Sequence, residues 1–171
     1  MDLQKFVPKN DIGSVMLDDA ELLRGLIKAL NPLQIVEIGT FVGISTLVMA
    51  EAMQKPATIH TVDKHDHKMM DRAKELNLEK WIEFYHQDSF QFVQEIVKRL
   101  AFIDFVFYDG EAHVDQYLRH FDVLKTKMRP GSIYAVHDYY TRAEHHQAFL
   151  KQIQEKYVTI PTKKGITLIQ I

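Results

Sequence analysis

The stretch from Leu33 to Thr46, LQIVEIGTFVGIST, constrains this chain most. Leu33, Ile35, Val36 and Ile38 form a short apolar run rich in β-branched residues, the pattern of a strand buried on both faces of a parallel sheet. Gly39 and Gly43 then bracket a tight loop in which the backbone needs positive φ or a close approach to a neighbour. Ser45 and Thr46 lead into the apolar, helix-forming segment Leu47 to Met53. A strand, a glycine turn and a helix N-terminus in succession make a cofactor cradle.

The residues between the glycines narrow the choice of cofactor. A dinucleotide loop reads G-x-G-x-x-G, and its second glycine lets the pyrophosphate lie against bare backbone. Here that position holds Phe41, which disfavours a pyrophosphate and a nucleotide-linked oxidoreductase with it. Glu37, read as a carboxylate at the mouth of the loop, would repel phosphate but accept hydrogen bonds from an ammonium or its water. S-adenosylmethionine has an ammonium, a sulfonium and no phosphate, and so meets both conditions. EIGTFVGIST resembles the first motif of class I S-adenosylmethionine-dependent methyltransferases, in the E-x-G-x-x-x-G-x-S-T form of small O-methyltransferases of the catechol and caffeoyl type. The resemblance implies cofactor contacts at Glu37, Gly39, Thr40, Phe41, Gly43 and Ser45.

Size and charge bound the remaining classes. The chain has 171 residues, 46% of them hydrophobic, which suits one domain with residues 1–31 as an arm and helix able to act as a lid. Twenty-one Lys and Arg nearly balance 23 Asp and Glu, so no strong field gathers nucleic acid or an anionic membrane. A small-molecule acceptor is the expected partner. The absence of cysteine removes disulfides, thiolate metal sites and a Cys nucleophile. MDLQKFVPKN has no apolar core of signal-peptide length, and a cytoplasmic location is expected. A homodimer is compatible with the arm, which could cover its own site or a partner's.

Met1 to Leu17 reads as an irregular arm around Pro8 and Gly13, with Ile12 among its scattered apolar residues. Asp18 or Asp19 is the expected N-cap of an amphipathic helix carrying Leu22, Leu23, Leu26, Ile27 and Leu30. Strands are expected at Ala57–Val62, Trp81–His86, Phe102–Tyr108, Ser132–Val136, Tyr157–Ile160 and Gly165–Ile171. Helices fill most of the intervals, one of them capped by Thr141, and Pro161 to Lys164 suits a hairpin that leaves an antiparallel edge strand. The resemblance implies a Rossmann-like methyltransferase fold: an α/β sheet of seven mostly parallel strands, order 3-2-1-4-5-7-6, last strand antiparallel, helices on both faces.

Acids punctuate the strand ends. Asp63 lies 24 positions past Gly39, at the end of the second strand, where nucleotide-binding α/β folds hold ribose hydroxyls. In the resembled family this acid plays that part, with Lys64 beside it, while Asp88 and Ser89 stand near the adenine; a helix N-cap explains Asp88 or Ser89 as well. FYDGEAH, followed by KTKMRPGSIYAVHD, extends the resemblance to Asp138. In metal-dependent members the acids ending strands four and five, with an Asn after the second, hold a divalent cation such as magnesium or calcium. Here Asp109 and Asp138 are present as cofactor or metal ligands, but Tyr139 stands in place of the Asn. The D-G-x-x-H and H-D-Y forms are similar to a divergent branch of the family. Asp138 or His113 is the expected catalytic proton acceptor, His113 being equally readable as the start of its helix, and His137 as a satisfied core histidine. A protein that binds the cofactor without transferring a methyl group is the alternative reading.

Overall fold

The computed structural model describes residues 1–10 and 13–171, so Ile12 of the arm lies outside the described residues. Seven strands form one sheet in the order β3-β2-β1-β4-β5-β7-β6. β1 (Gln34–Ile38) lies at its centre, parallel to β2 (Thr58–Asp63) on one side and to β4 (Ile103–Tyr108) on the other. β3 (Ile82–His86) extends the β2 side. β5 (Met128–Val136) pairs with β4 in parallel, and β7 (Ile166–Gln170) runs antiparallel to both β5 and β6 (Lys156–Ile160). The antiparallel strand is thus interior, and β6 forms the edge. A short hairpin can place β7 beside β5 only by leaving β6 outside it.

Residues alternate between two cores because successive strand side chains point to opposite faces. Ile35, Phe105, Phe107 and Ala135 face a layer built from α1 (Leu3–Phe6), α2 (Leu17–Leu30), α3 (Ile44–Ala52) and α4 (Met69–Glu75). Val36, Val106, Tyr108 and Tyr134 face α5 (Ser89–Arg99), α6 (Val114–Lys125) and α7 (Ala143–Leu150). The continuous apolar runs of β1 and β4 follow from this burial on both sides. The arm expected to be irregular carries α1: Leu3, Val7 and Val15 are buried in the first core, and Phe6 lies under the Arg72 guanidinium.

Several boundaries differ from the sequence expectation. α2 starts after Met16, and Asp19, its third residue, accepts from the Met16 N–H at 2.8 Å, so neither Asp18 nor Asp19 is the N-cap. Thr141 does not cap α7, which follows Arg142; its hydroxyl donates to the Asp138 carbonyl instead. Arg129, Pro130 and Gly131 lie within β5 and not in a turn before it, and the pairing with β4 shifts register there. Among the described residues no helix is long and apolar enough to cross a membrane.

Candidate active site

The glycine loop follows β1. Gly39 has φ 94°, and a Cβ there would sit 2.3 Å from the Asp109 carbonyl oxygen, so the residue lets β1 and β4 close on each other. Gly43, at φ 81°, precedes α3 against the Met69 side chain. Between them Phe41 takes φ 46°, and its N–H donates to Asp63 Oδ2 at 2.7 Å. Asp63 Oδ1 accepts from the His65 N–H at 2.9 Å, so this carboxylate fastens the end of β2 to the loop. Thr40 adds a 2.6 Å hydroxyl contact to Thr61.

Glu37 is not at the mouth of the loop. It shares the inner face of β1 with Ile35, is fully buried, and accepts from the hydroxyls of Ser45, Thr46 and Thr61 at 2.6, 2.5 and 2.6 Å. Burial pushes its carboxyl up to about 7, despite those donors, and the nearby Asp109 adds to the rise. Glu37 and Ser45 therefore brace the loop from beneath.

A cavity of about 250 Å³ opens above the loop, lined by Gly39, Asp63, Lys64, Ser89, Asp109 and Glu111 among others. It lies outside the carboxyl ends of β1, β2 and β4, where the strand order reverses, the usual position for a ligand in an open α/β sheet. A larger concavity of about 600 Å³, at Pro32, Asp104 and Arg129, lies at the opposite ends of the strands. Lys64 Nζ pairs with Glu111 at 2.7 Å beside the smaller one. Asp88 is the N-cap of α5, accepting from Phe90 and Gln91 N–H groups, and these bonds hold its carboxyl below the usual range. Ser89 faces His120 Nε2 at 3.1 Å. His120 Nδ1 donates to the Gln116 carbonyl, and burial pushes the ring's pKa down, so Nε2 is left to accept from the Ser89 hydroxyl.

A second group of charges gathers where β4 and β5 end. His137 Nδ1 lies 3.0 Å from Asp109 Oδ1 and 3.6 Å from Asp138 Oδ1, and Nε2 lies 3.3 Å from Asp19 Oδ2 on α2. Neither ring nitrogen has an aligned hydrogen-bond acceptor among the described residues, so attraction of charge holds the ring. Burial opposes the imidazolium, but Asp109, Asp19 and Asp138 together push the pKa up to about 10. The expectation of a satisfied core histidine gives way to a buried ring that faces three carboxylates, which favour its protonated form. Asp138, with φ 68°, also meets Arg142 Nε at 3.1 Å and Lys164 Nζ at 3.9 Å. His113 is elsewhere: it precedes α6, exposed, with its ring against His145.

The sequence reading gives Asp19 only as a helix cap and assigns no site role to Arg142 or Lys164. Asp19 did carry a signal, since it lies on the same helical stripe as Leu23 and Ile27, at i, i+4 and i+8. Asp109, His137 and Asp138 place one ligand atom each within 4.8 Å of one another, so the acids paired by the resemblance do meet. Arg142 and Lys164 already face Asp138, His137 lies between Asp19 and Asp109, and the phenol of Tyr139 accepts from Gln147 on α7.

A family profile described as a methyltransferase domain matches residues 36–139, from β1 to the residue after Asp138. The chain belongs to that family. A protein of Arabidopsis thaliana named as a caffeoyl-CoA O-methyltransferase is 27% identical over 124 residues, 71% of this chain. The chain spans about half, 53%, of the length of that curated relative. An O-methyltransferase of Streptomyces achromogenes, solved with S-adenosylmethionine, superposes with a TM-score of 0.80 at 17% identity over 100% of this chain and 99% of the other. One from Bacillus cereus, solved with S-adenosylhomocysteine, gives 0.78 at 18% over 99% and 90%. These likenesses establish the Rossmann-like methyltransferase architecture.

Proposed function

We propose that this protein transfers a methyl group from S-adenosylmethionine to a small-molecule acceptor, at oxygen. The observation that carries the reading is the cavity at the reversal of strand order, floored by Gly39 and walled by the carboxylates of Asp63 and Asp109. Acids in those positions suit a cationic, phosphate-free nucleoside better than a pyrophosphate. Asp63 would accept from the ribose hydroxyls, with Lys64 beside it. Ser89, behind the capped turn at Asp88, would border the adenine. Gly39, Thr40, Phe41 and Gly43 would shape the floor, and Asp109 would face the amino acid end. The names of the relatives support oxygen as the target.

Methyl transfer needs an in-line approach, a deprotonated acceptor and a dry site, and most of the rate comes from positioning. Asp138, in the same cluster as the cavity-lining Asp109, is the proposed proton acceptor; His113, outside the cluster, is the competing candidate. Calorimetric titration with S-adenosylmethionine, S-adenosylhomocysteine and NAD tests the binding half, with the first two expected to bind and NAD not. Asp63→Ala should weaken cofactor binding about 10- to 100-fold, the scale of lost hydrogen bonds to a charged group. A screen of phenolic and other hydroxyl acceptors with labelled methyl donor tests the transfer half. Asp138→Asn should abolish label transfer while cofactor binding persists, and His113→Ala should leave it within a few-fold. Binding of NAD alone would overturn the reading.

A further inference from the structure

The acids ending β4 and β5 stand where the metal-dependent relatives would be expected to hold an ion, yet cations of this chain occupy their surroundings. Lys164 is delivered by the turn between β6 and β7, and that turn is fixed from three sides. The Tyr139 N–H donates to the Gly165 carbonyl at 3.1 Å, and the Tyr140 N–H to the Lys164 carbonyl at 2.9 Å. The Lys163 N–H donates to Asp18 Oδ2 at 2.6 Å, and the Gly165 N–H to Thr162 Oγ1 at 3.1 Å. Gly165, at φ 81°, is pressed against Tyr139 and Tyr140, where a Cβ would come within 2.9 Å of both side chains. The Lys164 side chain is left 7% exposed, its ammonium 3.9 Å from Asp138 Oδ1. Arg142 reaches the same carboxylate from the other side and donates to the Gly110 carbonyl at 2.8 Å, bridging the ends of β4 and β5.

We propose that the Asp109–Asp138 pair works without a divalent ion, its charge being balanced by Lys164 and Arg142. Magnesium or calcium requires six or more hard oxygen donors in its shell. Asp138 Oδ2 meets the Arg142 guanidinium at 3.1 Å, Oδ1, which has no hydrogen-bond partner among the described residues, lies 3.9 Å from the Lys164 ammonium, and the amide that would follow Asp138 is replaced by a phenol engaged with α7. An incoming ion would meet the Arg142 and Lys164 cations and would have to evict at least one of them. The activity arm of the test rests on the methyl-transfer reading; the binding arm does not.

The binding arm is a titration of chelator-treated protein with Mn²⁺ followed by electron paramagnetic resonance, with Mg²⁺ and Ca²⁺ followed by calorimetry. No stoichiometric binding is expected up to about 1 mM, the weak end of protein sites for such ions. One tightly held Mn²⁺ per chain, lost in Asp138→Asn, would overturn the proposal. The Lys164→Met, Arg142→Met double variant, if folded by circular dichroism, should acquire Mn²⁺ binding; a folded variant that still binds none would show that the side-chain cations are not what excludes the ion. In the activity arm, label transfer should be unchanged by a chelator, and its loss with recovery on adding metal would also refute the idea. Failure to bind S-adenosylmethionine would remove the methyl-transfer reading and leave the Mn²⁺ result standing.

Discussion

Two buried acid centres sit on the same face of the sheet and meet the cost of burial in opposite ways. Glu37, beneath the glycine loop, is surrounded by hydroxyls and held near neutrality by a pKa of about 7. Asp19, Asp109 and Asp138, one strand further along, keep company with His137, Arg142 and Lys164. Burial raises the first centre's affinity for a proton while hydroxyl donors offset it, and the second imports countercharge. The hydroxyl centre comes from β1, β2 and the start of α3. The charged centre needs α2, β4, β5, the start of α7 and the β6–β7 turn, so it exists only in the assembled fold.

The contrast can be broken most severely at His137. His137→Leu leaves three acids facing two cations in a buried setting, and urea denaturation should show a loss of about 4 kcal/mol, the scale for breaking a buried ion pair. Gly39→Ala should come next, at about 3 kcal/mol, because it combines positive φ with a contact to the Asp109 carbonyl that cannot yield cheaply. The same titration should show cofactor affinity falling in Gly39→Ala, since the altered loop floors the cavity.

Acidity sharpens the contrast further. Folded His137 keeps its proton up to about pH 10, whereas the unfolded ring releases it near 6.5. Its stabilisation is therefore complete below pH 6.5 and is lost as pH rises towards 10, and thermal melts of His137→Gln should lack that alkaline decline. Glu37 keeps its proton to about pH 7 when folded and to 4.5 when unfolded, so its contribution is present below 4.5 and is lost as pH rises through 7. Glu37→Gln should flatten that part of the profile and, at pH 8, match or exceed the parent by about 1 kcal/mol, the smallest of these effects, since a neutral amide avoids ionising a buried carboxyl.

The legibility of the two centres in sequence follows the same division. The glycine loop, Asp63 and the acids ending β4 and β5 were readable because each depends on neighbours within one strand-turn-helix unit. Glu37 was found but placed at the mouth, although the two-residue period of a strand puts it on the inner face with Ile35. Asp19 was read as a cap because an acid before an apolar helix is normally one; its position in line with Leu23 and Ile27 was the better clue. Arg142 stands four residues past Asp138, a local spacing that the pairing uses, whereas Lys164 has no local signature. The meeting of Lys164 with Asp138 depends on how a turn over 100 residues beyond β1 docks on Tyr139 and Tyr140, and short-range spacing does not encode that.

The interior place of β7 has a consequence for how the molecule is born. A nascent chain that has made β1 to β5 already holds every acid of the charged centre, but Lys164 arrives only with the last hairpin, which slots its second strand beside β5. Until that hairpin docks, the centre is under-compensated, so the closing stitch of the sheet also sets the final electrostatic balance of the reactive end.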